Sequence, residues 1–383
     1  MTGAAGREIG VGLLGPGGIG RAHAHAYRLL PLVFTAGAAQ ARLVRVCGRN
    51  KARAEETAAR FGFEAASDRW EELIDDPAVE LVDNCAPNSA HAAPCLAALR
   101  AGKHVFCEKP LGRSGAEART LRDAATAAGT VHMVGFNYRF LPAIQLARRL
   151  IDEGRLGRIY HYRGRFADAS FLDPAAPFTW HQDAEAAGSN ALLDLGSHLI
   201  DTARYLAGEP AAVTGAVATF TRERLDPTTG RLRRVETDDA FEATLEFADG
   251  ALGSVAGTNY AAGRRAHMTF EVNGAHGTLA FDLERLNSLF VHLLDEAPSG
   301  GGLREIHVTE ADHPWGGLWW PPGHGVGWEA TMTHQLRHLL DAIATARPVA
   351  PMGATFEDGY RCAVVCDAIL DAARTGRRAA VRY

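Results

Sequence analysis

The stretch Ile9-Gly10-Val11-Gly12-Leu13-Leu14-Gly15-Pro16-Gly17-Gly18-Ile19-Gly20 decides the fold. Its first six residues read as a buried strand, and Gly15, Gly17 and Gly20 then take the spacing G-x-G-x-x-G where a helical pattern over 18–30 begins. Glycines at those places permit a tight turn and let backbone approach a pyrophosphate, which sits against the amides at the helix start. Gly15, Gly17, Gly18, Ile19 and Gly20 are therefore the expected dinucleotide contacts.

Outward from this point, short β-branched runs alternate with amphipathic stretches. Strands are expected over 43–47, 81–85, 104–107 and 131–134, and helices near 51–61, 89–101 and 114–128. That alternation predicts a doubly wound parallel sheet in a first domain over 1–136, its ligand lying beyond the carboxyl ends of the strands. After residue 136 the pattern changes to a helix near 140–153, strands near 158–168, a helix near 192–207 and strand candidates in series between 213 and 295. A second α/β domain over 137–383, built on a large and mainly antiparallel sheet, follows. Helices near 328–346 and 356–374 close the chain and can pack back on the first domain.

The 383 residues exceed one ordinary core, and 47% hydrophobic residues suffice for two. A net charge of −5 gives no reason to expect nucleic acid or an anionic membrane as partner. Met1 to Glu8 lacks the apolar core of a leader, and no apolar run reaches the roughly 18 to 20 residues that span a bilayer, so the cytoplasm is the expected location. Six cysteines without a Cys-x-x-Cys pair read as buried thiols. No metal is expected: His23 and His25, two apart on a helix, point in different directions and cannot share an ion.

After the second strand an acidic residue would grip the ribose of NAD, but Gly48-Arg49-Asn50 stands there. Arg49 suits a 2'-phosphate and leans the reading toward NADP, while NAD stays open through Asn50 and backbone contacts; a solvated helix start is the plain alternative. The strand at 81–85 leads into Ala86-Pro87-Asn88, with His91 on the next helical turn. Asn88 is as readily a helix cap as a ligand contact. The strand at 104–107 ends in Glu108-Lys109-Pro110, and Lys109 is one of only three lysines among 40 basic residues. Lysine titrates where arginine does not, which suits a role in ammonium chemistry.

In the second domain Asp194 and His198 lie four apart on the expected helix, and Leu192, Leu195, Leu199, Ala203 and Leu206 form a separate apolar stripe. The pair is thus expected away from the core side. A histidine there can take a hydroxyl proton near neutral pH, with the carboxylate orienting it or binding a second hydroxyl; a surface ion pair is the bland alternative.

The Gly15 to Gly20 fingerprint, Pro87-Asn88, Glu108-Lys109-Pro110, Gly135-Phe136-Asn137-Tyr138-Arg139 and Asp194-Leu195-Gly196-Ser197-His198 occur in order and spacing that resemble the glucose-fructose oxidoreductase / inositol dehydrogenase / rhizopine catabolism family (Gfo/Idh/MocA) over nearly the whole chain. The resemblance implies a Rossmann domain followed by an α/β domain whose open sheet builds homodimers or homotetramers. It also implies hydride transfer between NAD(P) and a secondary alcohol of a sugar or cyclitol. Lys109, Asp194 and His198 become the catalytic set, with Tyr138 a competing base and a substrate contact. Pro87, Asn88, His91, Glu108, Lys109 and Asn137 join the cofactor contacts.

In this scheme His198 accepts the hydroxyl proton and Lys109 polarises the reacting oxygen. Trp315, Trp319 and Trp320 precede Pro321-Pro322-Gly323-His324, and their flat faces suit a pyranose or, equally, a subunit interface. Asp168, Trp180, Gln182 and His324 are further substrate candidates. The segment Trp319 to Glu329 is similar to that of a family member oxidising a ring carbon-3 hydroxyl, which makes that the preferred position. A redox-assisted glycosidase of the same fold and a nucleotide-sensing regulator are the alternatives.

Overall fold

From Ile9 to Leu14 every residue of β1 (Arg7–Leu14) is buried, as befits a parallel strand covered on both faces. The computed structural model describes residues 7–34, 37–296 and 301–383. Most of the leader reading at Met1 to Glu8, and residues 297–300 of the second domain, lie outside the described residues. The chain divides into two units. One gathers the chain up to Gly112 with Ala116–Phe140 and Val326–Tyr360; the other comprises Arg113–Gly115, Leu141–Gly325 and Arg361–Tyr383.

In the first unit α1 (Gly18–Val33), β2 (Ala39–Cys47), α2 (Lys51–Phe61), β3 (Ala65–Ser67), α3 (Glu71–Asp75), β4 (Leu81–Asn84), α4 (Ala92–Arg100), β5 (His104–Cys107), α5 (Gly115–Ala128) and β6 (His132–Val134) follow β1. The sheet runs β3-β2-β1-β4-β5-β6, parallel throughout, and its order reverses between β1 and β4. That switch point is where a doubly wound sheet opens a crevice for a ligand. The sequence reading passed over β3 and α3, which are three and five residues long and carry no periodicity of their own. Helix α2 shows both end signals: Asn50 accepts the Arg53 amide at 3.0 Å, and Gly62 closes the helix at φ +78.

The helix Glu329–Thr345 also belongs to this unit and packs on α1. Leu336, Leu339, Leu340 and Ile343 are buried on it, Arg337 donates to the Ala39 carbonyl at 2.8 Å, and Asp341 accepts the Ala38 amide at 2.8 Å. The expected boundary after residue 136 compares with a division after Phe140 and a return of the chain at Val326.

The second unit contains α6 (Pro142–Asp152), β7 (Ile159–Ala167), α7 (Ala184–Ala187), a π-helical turn (Leu192–Gly196) running into α8 (Ser197–Ala207), and β8 (Pro210–Ala218). Then come β9 (Glu223–Asp226), β10 (Arg231–Arg234), β11 (Ala240–Phe247), β12 (Leu252–Thr258), β13 (His267–Gly274), β14 (Gly277–Asp282), β15 (Ser288–Leu293), β16 (Arg304–His307) and β17 (Ala379–Ala380). Nine strands make one sheet in the order β16-β15-β14-β13-β7-β12-β11-β8-β17, antiparallel except where β7 meets β12. β9 and β10 form a separate two-stranded ribbon. Burial alternates along β11 and β12, so one sheet face is covered and the other is open. Helices α6 and α8 pack against the sheet.

Candidate active site

Each glycine of the loop after β1 answers a different steric demand. Gly15 has φ +96, and a Cβ on it would lie 2.7 Å from the Ala86 amide nitrogen, across the switch point. A Cβ on Gly20 would come within 1.9 Å of the Gly15 carbonyl oxygen, so that glycine lets α1 sit tight on the turn. Beside Gly17 and Gly18 a Cβ would meet nothing within 4 Å. There the protein leaves space, next to first-turn amides that have no acceptor inside the helix. Ile19, 39% exposed, borders the same space. These residues fit the pyrophosphate of a dinucleotide.

At the end of β2, Gly48 lies so close to Pro16 that a Cβ would meet its ring at 2.4 Å, which brings this strand end beside the glycine loop. Arg49 is exposed, and the Asn50 side-chain oxygen is engaged in capping α2. Pro87 leads into a 3-10 turn (Asn88–Ala90) in which Asn88 is buried and its carbonyl accepts the His91 amide at 3.1 Å. Asn88 therefore lies inside the turn, not ahead of a helix as its cap.

His91, an expected cofactor contact, is 1% exposed, with Nδ1 at 2.8 Å from the Pro110 carbonyl oxygen and Nε2 at 2.9 Å from that of Ala86. Burial holds its pKa below the usual histidine value, opposed by those two carbonyls. The ring ties the loop after β4 to the turn after β5, and both of its polar atoms face backbone.

Lys109 is half-buried, and its backbone N–H donates to Oε2 of the buried Glu108 at 3.1 Å. The ammonium-bearing residue thus stands at the carboxyl end of β5, the same sheet edge as the glycine loop. Asn137 and Tyr138 are buried in the 3-10 turn after β6, and the Asn137 amide donates to Thr331 Oγ1 at 2.8 Å.

In the second unit Asp194 sits on the π turn and His198 on the first turn of α8. The expectation that their side faces away from the core is corrected here. Every residue from Ser197 to Ala207 is buried, His198 at 8% and Asp201 at 2% exposure, because the polar side of this helix is covered as well as the leucine stripe. The Phe166 ring lies 6.1 Å from that of His198, and the His198 carbonyl accepts from Thr202 at 2.8 Å. The π turn, a form found often at functional sites, re-aims Asp194 relative to a regular helix.

The sequence reading missed Asp238, which fixes that turn. Its Oδ1 accepts the Asn190 amide at 3.0 Å and the Ser189 hydroxyl, and its Oδ2 accepts the Leu192 amide at 2.8 Å. The acidic pair Asp238-Asp239 just ahead of a strand was the available signal.

The outer substrate candidates divide. Asp168, half-buried, accepts the amides of Ser170 at 2.6 Å and Ala266 at 2.9 Å and so joins two loops of the second unit. Gln182 is fully buried with its oxygen capping Thr179 at 2.8 Å, while its Nε2 has no protein partner. Trp180 stacks on His181 at 3.9 Å. Trp320 is 57% exposed, and exposed His324 places Nδ1 at 3.1 Å from the Pro321 carbonyl.

His23 had been weighed only as a metal ligand beside His25. His25 is exposed, whereas His23 is fully buried among Asp83, Cys85 and Glu108. Its place on the apolar side of α1, four residues before buried Tyr27, was the sign that both needed polar partners inside. Among the described residues no helix is long and apolar enough to cross a membrane.

Comparison with known proteins places these features in a family. Residues 9–136 match the oxidoreductase family with NAD-binding Rossmann fold, and residues 144–280 match the GFO/IDH/MocA C-terminal domain. The chain is 38% identical to levoglucosan dehydrogenase of Pseudarthrobacter phenanthrenivorans over 96% of both chains. It is 37% identical to glucose-6-phosphate 3-dehydrogenase of Bacillus subtilis over 51% of this chain and 53% of that one. A solved levoglucosan dehydrogenase in complex with NADH and levoglucosan superposes with a TM-score of 0.94, at 38% identity, over 98% of this chain and 100% of that one.

Proposed function

The chain belongs to the GFO/IDH/MocA family of oxidoreductases with an NAD-binding Rossmann fold, and from there we propose that it oxidises a secondary alcohol of a sugar, glycoside or cyclitol, with the carbon-3 hydroxyl of a pyranose preferred. The observation that carries this reading is the placement of half-buried Lys109 at the end of β5, on the sheet edge where the glycine loop leaves room beside Gly17 and Gly18.

Oxidised nicotinamide, held by the glycine loop, would supply the hydride acceptor for the carbinol carbon. The chain's own residues do the rest. Gly15 to Gly20 and the first amides of α1 hold the pyrophosphate. Lys109 Nζ donates a hydrogen bond to the reacting oxygen and stabilises the alkoxide-like charge that grows as the hydride leaves. His198 takes the hydroxyl proton on its imidazole, and Asp194 accepts from a neighbouring hydroxyl. NAD is the cofactor proposed, since relatives are solved with NADH; exposed Arg49 is the residue that would admit NADP. Trp320 and Trp319 offer flat faces to the sugar ring.

Removing Lys109 or His198 tests the scheme. Lys109→Met and His198→Ala are each expected to lower kcat by about 10²- to 10³-fold. Near-normal turnover in either variant sinks the role given to that residue. A panel of pyranoses, anhydrosugars and inositols, assayed with NAD and NADP separately, names the substrate class, and a flat response across it would count against a dehydrogenase. Release of an aglycone with no net change at the nicotinamide absorbance band would favour a redox-assisted glycosidase instead.

The enzyme is proposed to work in the cytoplasm as a homodimer or homotetramer joined through the open sheet face. That face carries a concavity of ≈ 610 Å³ lined by Arg163, Arg165, Glu242 and Glu271, charges of both signs that suit a self-complementary contact. Sedimentation of a monomer at micromolar concentration would overturn this.

A further inference from the structure

Behind the turn that carries Lys109 runs a buried polar chain that the scheme above does not use. His23, three residues after Gly20 on α1, has no exposed surface. Its Nδ1 lies 3.1 and 3.0 Å from the two Asp83 oxygens, and its Nε2 lies 3.2 Å from Glu108 Oε1. The Tyr27 hydroxyl donates to Asp83 Oδ2 at 3.0 Å, and Cys85 Sγ is 3.3 Å from both Asp83 Oδ1 and His23 Nδ1. Phe106 packs its ring 5.2 Å from the imidazole. The other Glu108 oxygen accepts the Lys109 backbone N–H at 3.1 Å. A continuous path thus leads from Asp83 through His23 and Glu108 to the lysine. Gly135 makes room for it: a Cβ there would come within 2.4 Å of Glu108 Oε1.

This arrangement is more specific than core filling requires. Each imidazole nitrogen faces a carboxyl group, an arrangement that a ring protonated on both nitrogens satisfies by donating from each. Burial alone would lower the His23 pKa, but Asp83, helped by Cys85, outweighs it and holds the pKa well above the ordinary value. Buried ionic groups contribute little net stability compared with apolar side chains of the same volume. What such a chain does supply is a fixed geometry.

We propose that His23 is a positioning residue for Lys109: it clamps Glu108, and Glu108 fixes the backbone from which the lysine side chain extends, while Asp83 and Tyr27 hold the ring. This inference rests on Lys109 acting at the alcohol oxygen. Its leverage comes from the sensitivity of catalysis to placement, where a shift of about 1 Å can cost on the order of 100-fold in rate.

The experiment uses the full chain with NAD and compares His23→Gln and Asp83→Asn, each alone and combined with Lys109→Met. Each single variant is expected to lower kcat about 30-fold, with sugar KM and the NADH dissociation constant, read by fluorescence, within about threefold. In the Lys109→Met background either change should alter the residual rate by less than about twofold, because the lysine it would position is gone. The ¹⁵N spectrum of the wild type should show an imidazole protonated on both nitrogens near neutral pH, a signal absent from His23→Gln. An equal fall in the Lys109→Met background, or a loss that appears in NADH affinity instead of kcat, overturns the proposal. Should His23→Gln fail to fold, Tyr27→Phe, which removes one hydroxyl, is expected to lower kcat about threefold; full kcat in that variant overturns it. Normal turnover of Lys109→Met alone would remove the premise, a failure visible in that single variant and distinct from one seen only in the combinations.

Discussion

The glycine loop of the first unit and the helical turn bearing Asp194 and His198 in the second are built on opposite plans. In the loop, the demand on each residue comes from its immediate surroundings: a positive φ at Gly15, the Gly15 carbonyl against Gly20, open space beside Gly17 and Gly18. The turn bearing Asp194 is shaped from far along the chain, because Asp238, 46 residues after Leu192, accepts the amides that set its start. A site made of backbone is specified by missing side chains close by, whereas a site made of side chains is specified by partners brought in through the fold.

Three experiments press on that contrast, beginning with the largest effect. Gly20→Ala forces a Cβ against the Gly15 oxygen and is expected to cost about 3 kcal/mol or more, read as a fall in unfolding free energy. Its control, Gly17→Ala, adds a methyl group where the protein has nothing nearby; Tm should hold while NADH binding weakens about tenfold. If both variants behaved alike, the division of labour within the loop would be wrong. Next, Asp238→Ala should cost about 2 kcal/mol and lower turnover, since it strips a buried cap from the π turn. Unchanged stability and turnover would mean that the turn holds its own shape. The smallest effect is expected at Arg49: Arg49→Ala should weaken NADP about threefold and leave NAD nearly unaffected, as befits an exposed charge. A large loss with NAD would reveal a deeper role for that side chain.

The same contrast explains what could be read from the sequence. The parallel sheet was legible because its strands are near-continuous apolar runs and its loop carries glycines at fixed offsets. β3 and α3 were not, being too short to show a period. The helix near 192–207 was legible as a helix, but neither the π turn nor the burial of His198 on its polar side leaves a periodic mark. Asp168 and His91 were candidate ligands by residue type and position. Their polar atoms also meet backbone amides and carbonyls from distant loops, which no local pattern announces. His23 was noticed for the wrong chemistry: spacing showed that it could not pair with His25, but only the fold brings Asp83 and Glu108 to its two nitrogens.

The return of the chain at Val326 has a consequence for synthesis. Without the helix Glu329–Thr345, the Asn137 amide loses Thr331, the Phe140 carbonyl loses His334, and the Ala39 carbonyl loses Arg337. A ribosome that has released residues up to Phe140 therefore holds a dinucleotide-binding sheet still missing one of its covering helices. At about 5 to 20 residues per second, that surface waits roughly 10 to 40 s for its cover while Leu141–Gly325 of the second unit are made. The nucleotide-binding half begins first and finishes late, so truncating the gene after the last strand of its sheet would yield a fragment with an uncovered apolar flank instead of a free-standing domain.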